Sequence, residues 1–77
     1  MKFLATFHCH YDATLFYQMC KQREIPAKLT PTPRKLSAAC GTCVIFDKFA
    51  DIDYNNYDVG GVYEGDGYVK IWASEEN

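Results

Sequence analysis

The chain has 77 residues, 48% of them hydrophobic and 16% aromatic, with four cysteines and a formal net charge of −2. That length makes one domain, residues 1–77, burying only about 60–65% of its unfolded surface, and the apolar content argues for a folded globule rather than disorder. The negative balance argues against a nucleic-acid partner held by counterion release, and no apolar run approaches the roughly 20 residues of a membrane span.

Residues 2–9 read as the first strand. Phe3, Ala5, Phe7 and Cys9 alternate on one face, with Leu4, Thr6 and His8 on the other. Cys9 is thus expected to face the core. Residues 11–23 read as a helix. Asp12 suits its positive end, Ala13, Phe16 and Cys20 form an apolar stripe, and Lys21 and Arg23 suit its negative end before Pro26 forbids continuation. A short strand is expected at 27–30, a helical turn near 36–39, and a third strand at 42–46. Residues 47–57 read as a weak helix with Phe49, Ile52 and Tyr54 turned inward. Strands at 59–64 and 68–72 flank Gly65-Asp66-Gly67, a hairpin signal.

This order predicts an α+β fold, a ferredoxin-like split β-α-β sandwich whose antiparallel sheet gains an extra C-terminal hairpin strand. A right-handed crossover sets the first two strands parallel, with the third between them. The end of the first strand, the helix start and the start of the third strand then share one sheet edge. Leu4, Cys43 and Ile45 fall on the face away from the helix, an apolar patch that suggests a homodimer through that face or through the last hairpin.

The chemistry is expected between residues 31 and 43. Pro31 and Pro33 stiffen a loop, Arg34 and Lys35 add positive charge, and small residues lead to Cys40-Gly41-Thr42-Cys43. Thiolate, the nucleophile and metal ligand, is favoured beside fixed cations. The first seven residues are too short an apolar stretch for a secretory signal, so the cytoplasm is the expected compartment. There a Cys-x-x-Cys pair reads as redox or metal chemistry rather than a structural staple. Cys40 is the candidate reactive thiol, supported by Arg34, Lys35, Gly41 and His10. Cys43 and Cys9 are candidate second thiols, although Cys40 and Cys43 close a disulfide poorly if both lie in one extended strand. Cys20, on the helix stripe, reads as core. No cofactor is expected. If a metal binds, its ligands come from His8, Cys9, His10, Cys40 and Cys43, soft donors suited to zinc or iron, though their spacing matches no standard zinc module.

Several segments resemble one family. Thr6-Phe7-His8, Asp12-Ala13, Ile25-Pro26-Ala27-Lys28-Leu29, Thr32-Pro33-Arg34, Leu36-Ser37 and Cys40-Gly41 are similar to the small bacterial DUF3343 proteins, described as selenium/sulfur carrier-like. Val62-Tyr63 resembles the end of that family's last strand. The resemblance implies a protein that carries sulfur or selenium as a persulfide or perselenide on Cys40. Its partners would be a donor and an acceptor protein rather than nucleic acid or membrane. Glu24 stands where the family pattern has a helix-ending glycine, the second helix is shorter than usual, and the hairpin after Glu64 runs past the usual end.

Overall fold

The computed structural model describes residues 2–36, 41–47 and 52–74. Among them lie strand β1 (Phe3–Phe7), helix α1 (His10–Gln22), strands β2 (Ala27–Pro31) and β3 (Thr42–Phe46), a 3-10 turn (Tyr54–Tyr57), and strands β4 (Val59–Glu64) and β5 (Val69–Ala73). The strands form one sheet in the order β2-β3-β1-β4-β5, and every pairing is antiparallel. β1 and β2 therefore run parallel to each other with β3 between them, the arrangement of a split β-α-β unit.

Period-two alternation decides which side chains meet α1. Phe3, Ala5 and Phe7 of β1, Val44 and Phe46 of β3, and Val59 and Val62 of β4 pack on Ala13, Phe16 and Cys20. Phe16 is the hub. Its ring lies 5.4 Å from Phe7, 5.3 Å from Phe46, 6.2 Å from Tyr54 and 5.6 Å from Tyr57 between centroids. Trp72 extends the aromatic layer onto β5, its ring 5.0 Å from Tyr54.

The helix ends on a Schellman motif. Ile25 N–H donates to Cys20 C=O (2.8 Å) and Glu24 N–H to Lys21 C=O (3.1 Å), while Glu24 takes φ +60°. Ile25 is buried just past the turn, the hydrophobic contact that accompanies this cap. A glutamate in a left-handed position that glycine occupies without strain is costly. We expect Glu24→Gly to raise stability by about 1 kcal/mol in urea melts; an unchanged or lowered midpoint would mean that Glu24 repays the strain elsewhere.

Three expectations need correction. β1 stops at Phe7, so alternation does not reach Cys9, which is exposed as the N-cap of α1 rather than core-facing. Of the helix expected over 47–57, the described residues hold only the 3-10 turn. Asp53 caps it, its Oδ1 accepting from Asn55 N–H at 3.1 Å, and Asp58 at φ +53° ends it. Residues 48–51, Phe49 among them, lie outside the described residues, as do residues 37–39 of the helical turn expected near 36–39.

The face away from α1 is less open than alternation implies. Leu4, Thr6 and Cys43 are 6%, 5% and 0% exposed, while Ile45 is half-buried. Part of the cover is Tyr63, whose ring lies along β4 over Gly61. A Cβ on Gly61 would stand 3.1 Å from Tyr63 Oη and 3.2 Å from Cε1. Pro31 and Pro33 add a wall.

Candidate functional site

One edge of the sheet gathers the residues singled out for chemistry. β1 ends there, α1 begins, β2 runs out and β3 starts. Thr32 N–H donates to Gly41 C=O at 2.9 Å, closing the loop between β2 and β3 at its base. His10 Nδ1 lies 3.2 Å from Thr42 Oγ1, tying the first turn of α1 to the first residue of β3. Thr14 Oγ1 donates to His10 C=O at 3.1 Å, holding that turn from within.

Cys9 stands at the same edge. Its S–H donates to Asp12 Oδ2 at 2.9 Å, so the exposed thiol is held over the first turn of α1. Three-residue spacing from an N-cap puts both side chains over the first helical turn. That spacing was readable in the sequence, but treating Cys9 as a strand residue concealed it.

Cys43 is placed differently. It pairs with Thr6 of β1 and Thr30 of β2 and is fully buried. Its sulfur lies 3.7 Å from Pro31 C=O, on the face away from α1. Arg34 and Lys35 are exposed beyond the end of β2, where Leu36 N–H donates to Pro33 C=O at 3.0 Å and turns the chain. Gly41 is exposed with open space around it. Cys40 lies outside the described residues; in the sequence one residue, Gly41, stands between it and Thr42.

The two histidines diverge. β4 carries an extra residue, Gly60, between the pairs Thr6–Gly61 and Phe7–Val59. His8 Nε2 comes within 3.7 Å of where a Cβ on Gly60 would stand. His8 thus turns toward β4 and His10 toward β3, while Cys43 is buried on the far face. Among the described residues no three His, Cys, Asp or Glu side chains are placed to hold a metal ion.

Cys20 is the chemical opposite of Cys9. Burial pushes its thiol from 9.0 up to about 11, only partly opposed by Arg23. Burial, with Cys20 adding to it, pushes the Tyr54 phenol from 10.0 up to about 12. Below pH 9 both groups stay protonated folded or unfolded, and their contribution to stability is whole. As pH rises toward about 11 the unfolded chain gives up the Cys20 proton before the folded one does, so stability falls. The Cys20 share is about 2–3 kcal/mol. Competitive alkylation of native protein is expected to label Cys9 early, with Cys43 and Cys20 protected, and urea midpoints should fall from pH 9 to 11. Early labelling of Cys20 at pH 8 would contradict both.

A family model described as "Putative Se/S carrier protein-like" matches residues 2–56. The chain belongs to this family. No curated protein and no solved structure matches it. The match to the Se/S carrier-like family takes in the whole edge just described, from Cys9 and His10 through Arg34 to Cys43, and stops before β4 and β5. Among the described residues no helix is long and apolar enough to cross a membrane.

Proposed function

We infer that the protein carries a sulfur or selenium atom on Cys40 between a donor enzyme and an acceptor protein. The observation that carries this reading is the family match, which spans Cys40 and the edge that flanks it. The chemistry is group transfer. The Cys40 thiolate attacks the outer, zero-valent sulfur of a donor persulfide. The donor's S–S bond breaks, its own sulfur leaves as thiolate, and Cys40 holds the persulfide with no net change in oxidation. An acceptor nucleophile then attacks the outer atom, and Cys40 leaves as thiolate. The selenium version exchanges the outer atom only.

Exposure separates the candidate second thiols. Cys43 is buried beside the Pro31 carbonyl, whereas Cys9 is exposed with its S–H donating to Asp12 Oδ2. We therefore assign the second role to Cys9. Its sulfur attacks the Cys40 sulfur of the persulfide and a Cys9–Cys40 disulfide forms. The outer atom leaves as hydrosulfide or hydroselenide, and the Cys9 proton passes to Asp12. A cellular dithiol then reduces the disulfide, a requirement that fits a reducing compartment such as the cytoplasm. In this reading the fold is a ferredoxin-like sandwich with a 3-10 turn at Tyr54–Tyr57 where the second helix would end.

Intact-mass spectrometry of protein purified without reductant tests the assignment. A gain of one sulfur or selenium atom that maps to the Cys40 peptide is expected. A gain on Cys9 alone would move the carrier role to the helix start.

A further inference from the structure

The face away from α1 carries a groove. One hollow, about 260 Å³, is lined by Leu4, Ile45, Pro31, Pro33, Asp66 and Tyr68. A second hollow of about 310 Å³ continues it past Lys28 to Pro26 and Asp47, and the two share Lys2, Thr30 and Ile45. Both signs of charge line the groove. Asp66 lines one hollow, Asp47 and Lys28 the other, and Lys2 both.

Tyr68 supplies an independent observation. It sits at φ +55° in the turn closed by its own N–H on Gly65 C=O at 3.2 Å. A bulky residue in the left-handed region is an outlier, and glycine is the residue that adopts it freely. The turn has two left-handed positions: Gly65 takes one at φ +75°, and the other falls to the tyrosine that lines the groove although Gly67 stands next to it. Strain of this kind marks places where the side chain has a use.

We propose that this groove binds an extended segment of a partner protein in which a carboxylate side chain lies between two aliphatic ones. The aliphatic groups fill the two hollows. The carboxylate meets Lys2 and Lys28, while Asp66 and Asp47 reject acidic residues at either end. A small rigid wall of proline and tyrosine costs little ordering entropy on binding. The proposal does not depend on the thiol chemistry.

The test is an NMR titration of the full chain with acetyl-Leu-Ser-Asp-Ser-Leu-amide, whose leucines and carboxylate share one face when extended. Acetyl-Leu-Ser-Lys-Ser-Leu-amide and acetyl-Ser-Ser-Asp-Ser-Ser-amide serve as controls. The first peptide should bind saturably and shift Leu4, Ile45 and Tyr68 signals, and the controls should bind at least tenfold more weakly. Lys2→Glu should weaken the first peptide at least tenfold. Tyr68→Gly should weaken it similarly while leaving the melting temperature unchanged or raised, because it relieves the left-handed strain. Cys40→Ser should bind as wild type, which keeps this result separate from the carrier reading. Equal binding of the three peptides, shifts confined to α1, or Tyr68→Gly retaining full affinity would overturn the proposal.

Discussion

Phe16→Ala is expected to cost about 3–5 kcal/mol, read as the shift in a urea unfolding midpoint. The side chain is fully buried, and four aromatic rings from β1, β3 and the 3-10 turn close on it. Those rings are stiff and already packed against one another, so they relax little into the space. A chain of 77 residues has only ~4–12 kcal/mol in total. The variant should therefore sit at the margin of folding, with a large unfolded fraction at room temperature. Phe16→Leu, which keeps most of the volume, should cost much less. A loss below about 1 kcal/mol for the alanine variant would mean that α1 packs on the sheet through other contacts.

Cys40→Ser is expected to abolish loading from glutathione persulfide, a loss of at least tenfold in the mass-shifted species, because a hydroxyl cannot replace the thiolate nucleophile. The comparison that gives this meaning is Cys43→Ser. Cys43 is enclosed between Thr6 and Thr30 on neighbouring strands, so its hydroxyl replacement should lower stability by about 1–2 kcal/mol while loading persists. Cys9→Ser should load as wild type but release hydrosulfide more slowly. Full loading of Cys40→Ser would end the carrier assignment on that residue. Release unaffected by Cys9→Ser would remove Cys9 from the second role.

The parts of this architecture that rest on local pattern were readable from sequence. The stripe Ala13, Phe16, Cys20 gives the helix and its buried face, and alternation in Phe3, Ala5, Phe7 gives the sheet face that receives it. The handedness of crossovers gives the order β2-β3-β1, and with it the edge where His10 meets Thr42. What escaped depends on where elements stop and on what loops cover. Alternation carried on paper to Cys9 because nothing in His8-Cys9 announces the end of β1. Leu4 and Cys43 read as exposed because period two says nothing of Tyr63 lying over Gly61, or of Pro31 and Pro33 folding beside that face. The two histidines flank one cysteine in sequence, which does not say where each ring goes. The extra residue at Gly60 and the start of α1 send them to different strands.

The order of the strands also decides how the molecule avoids sticking to its own kind. β1 is buried along its whole length, which would make it a hazardous rim if it were ever left bare. β3 shields it on one flank and β4 on the other, so the outermost positions fall to β2 and β5. β2 protects its rim with Lys28 and the proline that ends it. β5 bears Val69 and Ile71 in the open but breaks its register against β4 between the pairs Val62–Trp72 and Tyr63–Lys70. That irregularity twists the rim away from a flat template. A chain cut after Asp58 would lose both outer strands on that side and present β1 itself to its neighbours. It should precipitate at concentrations where the full chain stays clear.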